Sequence, residues 1–312
     1  MITCLVHYYL DDDAETNRLR SDLRTFCPTI FSADDARTVQ ATEMIEQARN
    51  LPPGLARKEL LEEAVKLLRS SVQKLKLPLI CELLYEVNYV QGIADLVLAR
   101  AEKDDPKMLA LIAYKNRLED SEVFAREAIM KRKEAYRCIT STLDRIMVDE
   151  RSLGTGDQLN PSKDIVIRSV FDSKDELAHV AVFKWLLEHD FVNVVLQSKS
   201  PYLESFLHRR VEEGGSSRSL DLLWRFHERS GDHRKATDLL FELAQRETDK
   251  LSIDRRVAYL SQAAMCARSA SSEADPGSNI HDLIVEIGDK LDVAQVQLAT
   301  KLVLTRLLSL KP

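Results

Sequence analysis

From Glu119 to Glu150 the chain keeps apolar residues on one helical face: Ala125, Ile129, Tyr136, Ile139, Leu143 and Ile146. Arg132 stands in the slot between Ile129 and Tyr136. A 3.6-residue period held over about 30 residues describes one helix about 45 Å long. The rest of the chain follows the same rule. Only 9 Gly and 9 Pro occur in 312 residues, roughly half the glycine of an average chain. Tight turns, hairpins and glycine-lined phosphate loops are correspondingly scarce. No stretch alternates with period two between turn residues. The best strand candidate, Phe191 to Leu196, is short and isolated, and it reads as helix. The expected class is all-α.

Breakers divide the chain into helices. Asp34 is a candidate N-cap for a helix to about Arg49, stopped by Pro52-Pro53-Gly54. Leu55 to Lys76, Leu79 to Asn88 and Gln91 to Lys103 follow, and Pro106 opens the next helix. Ser173 and Glu176 form a capping box ahead of Leu177 to Asp190. Helices from Ser200, Ser219, Asp232 and Ser252 come next, and the last runs from Ile280 to Leu310. Residues 151–163, with Gly154, Gly156 and Asn160-Pro161, form the clearest loop, between sub-segments 1–150 and 164–312.

Leu83 to Lys103 and Leu222 to Glu247 share a layout: an aromatic-bearing helix, a turn with Gly92 or Gly231, then an Ala-containing helix. The spacing is irregular. The pattern predicts an irregular α-solenoid of stacked antiparallel helix hairpins, a single domain over 1–312.

Reaction chemistry is sparse. Gly154-Thr155-Gly156 lacks the Lys-Ser/Thr of a phosphate loop and the third Gly of a dinucleotide site. None of the seven histidines forms a His-Glu-x-x-His pair. Asp175 and His179 are four apart and read as an exposed helix-face pair. Cys4, Cys27, Cys81, Cys138 and Cys266 sit in apolar helical contexts, as reduced core thiols do. An enzyme is not expected, and neither a cofactor nor a metal. The basic runs Lys131-Arg132-Lys133 with Arg137, and His208-Arg209-Arg210, read as solvated faces. With a net charge of −6, no direct nucleic-acid partner is expected. Trp185, Trp224, Phe226 and Phe241 read as core. The opening residues, Met1 to Asp13, lack a basic leader and read as the middle of a helix, as in a fragment of a longer protein.

The last helix is unusual. One stripe holds Ile284, Ile287, Leu291, Ala294, Leu298 and Leu302. Almost opposite lies a second: Val293, Val296, Val303 and Leu307. A terminal helix ordinarily turns one face to water, so something is expected to cover the second stripe. The candidates are another helix of the chain, a second copy, or a partner's peptide.

Asp221 to Glu228 (Asp-Leu-Leu-Trp-Arg-Phe-His-Glu) resembles the Asp-Leu-Leu-Trp-Arg-Tyr-Tyr-Glu segment of the large inner-ring, non-repetitive scaffold nucleoporins. Phe226-His227 is its departure. Further segments resemble that family in order: Phe26-Cys27-Pro28, Ala101 to Pro106, Tyr136 to Thr140, Ser173 to Trp185, Ser200 to Glu204, Tyr259-Leu260 and Lys290 to Ala294. The resemblance covers the family's C-terminal α-solenoid and lacks its N-terminal β-propeller. It implies a structural role in the inner ring of the nuclear pore complex at the nuclear envelope, supporting nucleocytoplasmic transport. It also implies partners: linear motifs of a phenylalanine-glycine-rich linker nucleoporin and of a small membrane-associated one, with membrane contact only indirect. Architecture alone would equally suit a helical-repeat adaptor of a vesicle coat or degradation complex.

Overall fold

The computed structural model of the chain describes residues 22, 26, 32–118, 123–153, 161–214, 216–246, 251–273 and 280–309. The loop expected at 151–163 lies mostly outside them, Gly154-Thr155-Gly156 included, as do Cys4 and Cys27. Among the described residues every longer element is an α-helix and no strand occurs. The chain divides into two compact units, residues 1–185 and 186–312.

The first unit opens with α1 (Ala33–Asn50) and α2 (Leu55–Ser70). Ser32, not Asp34, caps α1: its hydroxyl accepts the Asp35 N–H while the Asp35 carboxylate accepts the Ser32 N–H. Such a reciprocal pair satisfies two of the four free donors at a helix start. The helix expected to reach Lys76 ends at Ser70 and continues as a 3-10 turn, Val72–Lys74. Then come α3 (Leu77–Glu86) with Pro78 in its first turn, α4 (Val90–Asp104), α5 (Leu109–Asn116), α6 (Val123–Leu153), α7 (Pro161–Phe171) and α8 (Glu176–Glu188). The long helix read from the 119–150 stripe is α6.

The core of this unit forms around α4, whose Ile93, Ala94, Leu96 and Val97 are fully buried. It packs on α2, α3, α6 and α7. Gly92 lets α2 approach: a Cβ there would stand 2.9 Å from Val65 Cγ2 and 2.7 Å from the Tyr89 ring.

The second unit holds α9 (Val192–Gln197), α10 (Leu203–Gly214), α11 (Ser217–Arg229), α12 (His233–Gln245), α13 (Ile253–Glu273) and α14 (Ile280–Ser309). The apolar run from Phe191 is therefore helical. From α10 onward each helix packs on the next in the chain, the nearest-neighbour contact of stacked hairpins. Ser216 and Asp232 cap α11 and α12. The shared core takes Leu220, Leu240, Leu243, Leu260, Cys266, Ile280 and Ile287.

Two helix starts differ from the sequence expectation, for one reason. Pro106 lies in a turn and α5 begins at Leu109, where the Asp105 carboxylate accepts the Leu109 and Ala110 N–H groups at 2.8 and 3.1 Å. Asp175, not Ser173, sits before α8 and accepts the Ala178 N–H at 3.4 Å. Both carboxylates are held by one cation on α6. Arg132 Nε lies 2.8 Å from Asp105 Oδ2, and its Nη1 lies 3.0 Å from Asp175 Oδ2. The Tyr136 hydroxyl donates to Asp175 at 2.6 Å. Arg132, read as part of a solvated basic face, is thus buried; Lys131, Lys133 and Arg137 remain exposed. Low dielectric makes such a pairing obligatory: each charge would be costly alone. Burial, with the Asp175 charge, pushes the Tyr136 phenol well above its usual value and keeps it a donor.

Candidate functional site

α14 is held to its unit by one face. Ile280, Ile287 and Ala294 are buried, and Leu283, Ile284 and Leu291 pack partly against the core shared with α11, α12 and α13. These residues follow the first stripe read from the sequence. The packing weakens after Ala294: Leu298 is half-buried and Leu302 is exposed. The reason is the neighbour, since Ile253 begins α13. Lys301, paired to Asp254 at 3.7 Å, marks where that support runs out.

The second stripe lies open. Val293, Val296 and Val303 are 59%, 66% and 58% exposed. Leu307 belongs to α14, but its side chain lies outside the described residues. Leu302 and Leu304 extend the exposed apolar surface. Val293 also borders a cleft of about 430 Å³ walled by Ala244, Arg256, Leu260, Lys290 and Gln297. The Nε of Arg256, one of those wall residues, is buried without a hydrogen-bond partner. An apolar lip beside an unsatisfied donor suits a peptide, which offers apolar side chains and backbone carbonyls together.

The other sequence candidates are structural. A cleft of about 450 Å³ borders Asp105, Arg132 and Asp175, whose charges are already spent on one another. His179 is fully buried with Nε2 3.0 Å from the Ser173 carbonyl, so it is no exposed partner of Asp175. Burial holds its imidazole below the usual value. Trp185 is buried and donates to Asp144 at 2.7 Å; Trp224 is buried and donates to Asp221 at 2.9 Å. Phe226 and Phe241 are half-buried, with Lys290 Nζ 4.6 Å from the centre of the Phe241 ring. Cys81, Cys138 and Cys266 are buried free thiols. No sequence spacing signals that Cys81 and Cys138 share one cleft: the neighbouring Cys138 thiol, with burial, pushes the Cys81 thiol far up.

Sequence reasoning missed one cluster. Glu204 and His208 on α10 meet His227 on α11. The Glu204–His208 spacing of four was legible, but the third member comes from another helix. No helix among the described residues is long and apolar enough to cross a membrane.

The family model of the non-repetitive/WGA-negative nucleoporin C-terminal region matches residues 1–308. The chain is 26% identical to the Drosophila melanogaster nuclear pore complex protein Nup154, over 99% of this chain and 24% of that protein. It is 26% identical to nucleoporin NUP170 of Chaetomium thermophilum, over 95% of this chain and 21% of that one. It thus spans under a quarter of the length of these curated relatives. Among solved structures, the Chaetomium thermophilum Nup170 SOL crystal structure superposes with a TM-score of 0.73 at 24% identity, over 95% of this chain and 39% of that chain. The Nup170 CTD of the same organism in complex with Nup145N gives 0.64 at 24%, over 83% and 50%. These likenesses show the α-solenoid fold.

Proposed function

The chain belongs to the non-repetitive/WGA-negative nucleoporin C-terminal family, and from that premise we propose that it is inner-ring scaffold that captures linear motifs of other nucleoporins. The family is one of structural scaffold proteins and not of enzymes. The proposed place of action is the nuclear pore complex at the nuclear envelope, and the proposed process is nucleocytoplasmic transport. The proposed partners are a phenylalanine-glycine-rich linker nucleoporin and a small membrane-associated one.

The observation that carries this reading is the open stripe of Val293, Val296 and Val303 beside the Arg256 cleft. Leu307 continues it by sequence. The occupant we assign is an extended or helical segment of a linker nucleoporin, and the Nup170 CTD–Nup145N complex of Chaetomium thermophilum supports that choice. Covering a valine that is about 60% exposed returns about 1–2 kcal/mol. Three such residues supply roughly 3–5 kcal/mol, about half of a micromolar affinity. The remainder falls to backbone hydrogen bonds and Arg256, set against the ordering entropy of the peptide. Moderate single affinities add up in a symmetric assembly, where many links act together.

The test is a pulldown of this chain against linker-nucleoporin segments, followed by calorimetry on the shortest segment retained. Val296→Asp with Val303→Asp should weaken binding at least about a hundredfold while leaving the circular-dichroism spectrum unchanged. Adding Leu307→Asp should weaken it further. Unchanged binding by the folded double variant would overturn the site. So would a wild-type dimer, seen by light scattering, that the same substitutions dissolve, since a second copy would then be the occupant.

A further inference from the structure

Independently of the peptide reading, we propose that Glu204, His208 and His227 form a binding site for a zinc-class divalent transition metal that ties α10 to α11. Each side chain brings one ligand atom to within 4.8 Å of the other two. Glu204 and His208 lie one helical turn apart on α10, with His208 Nε2 3.9 Å from Glu204 Oε1. The His227 ring stands edge-on to that of His208, with centroids 5.7 Å apart. Two imidazoles and a carboxylate are a familiar donor set for zinc, leaving the fourth position to water.

The second observation is His227 itself. It is 2% exposed, and its Nε2 is buried with no hydrogen-bond partner. A buried imidazole nitrogen left without a partner is costly, and a metal ion satisfies it. The neutral imidazole is the form that ligates. Around tetrahedral zinc at about 2.0–2.1 Å the ligand atoms lie about 3.4 Å apart. Closing from 4.8 Å or less requires only rotamer adjustments at Glu204 and His208, whose side chains are each 49% exposed.

Lys235 opposes the ion. Its Nζ lies 3.6 Å from Glu204 Oε1, but its closer partner is Asp232 at 2.9 Å. A metal would displace the longer contact and leave the shorter one. That competition makes the proposal specific: removing the lysine should help the metal, and removing a ligand should harm it.

The experiment titrates Zn²⁺, and separately Co²⁺, as chlorides into the chelator-stripped full chain under reducing conditions. Calorimetry should give one ion per chain with a dissociation constant below about 0.1 mM. Co²⁺ should develop the visible absorption of a low-coordinate nitrogen–oxygen site. His208→Ala and Glu204→Gln, both at half-exposed positions, should each weaken that event at least about tenfold. Lys235→Ala should strengthen it severalfold. The inference is overturned if no stoichiometric binding is found, or if the affinity is the same in His208→Ala and Glu204→Gln as in wild type. In the latter case the ion has gone to the thiols or to other histidines. Failure here leaves the peptide site untouched, since none of these residues lies on α14.

Discussion

Arg132→Met should cost the first unit about 3–5 kcal/mol, because it strands two carboxylates around an apolar side chain. The side chains of Arg132, Asp105 and Asp175 are only 7%, 1% and 16% exposed. Methionine nearly matches the arginine stem in volume, so the loss is electrostatic and not a cavity effect. Asp105 keeps its two helix N–H donors at 2.8 and 3.1 Å, which shield its charge and place its share at the lower end. Asp175 keeps the Tyr136 hydroxyl at 2.6 Å. For a unit of this size, 3–5 kcal/mol lowers the melting temperature by roughly 6–20 °C. Urea denaturation followed by tryptophan fluorescence reads the free energy, with Trp185 as the reporter in this unit. Arg132→Met with Asp105→Asn is the companion measurement. If the loss comes from the stranded charge, the double variant should recover at least about 1 kcal/mol of the sum of the single effects. A cost below about 1 kcal/mol for Arg132→Met, or strict additivity in the double variant, would refute the network as the organiser of both helix starts.

Gly92→Ala should destabilise the same unit by about 1–3 kcal/mol, because the new methyl meets Val65 at 2.9 Å as well as the more yielding Tyr89 ring. The cost should shrink in the background of Val65→Ala, and thermal denaturation of the four species checks it. Stability should also fall with acid: burial holds His179 below the ordinary histidine value of about 6.5, so the unfolded chain takes up that proton first. Its contribution is complete above about pH 6.5 and drains away as pH falls towards the lower folded value. Urea midpoints between pH 7.5 and 5.5 should therefore decline, and less steeply in His179→Gln; an equal decline in both chains would place the effect elsewhere.

Helix positions were readable because a repeat of 3.6 needs no knowledge of the partner. The stripe of Ala125, Tyr136, Ile139, Leu143 and Ile146 is the buried face of α6, and Pro52-Pro53-Gly54 interrupts the helices where expected. The caps were less legible. Ser173 and Glu176 fit a capping box, yet Asp175 took the position, since only the fold brings Arg132 within reach of it. His227 was legible only as a departure from a family segment; its neighbours Glu204 and His208 lie about twenty residues earlier, on another helix. The pairing of Cys81 with Cys138 was hidden for the same reason.

The sequence by itself determined the class of fold, the helix periods and the apolar second stripe of α14, because local spacing and propensity act between residues three and four apart. Tertiary structure alone decided which charges are buried and which apolar residues stay wet. Arg132 became an interior cation and Val296 remained exposed because desolvation depends on what lies across the gap, and that neighbour belongs to a distant part of the chain.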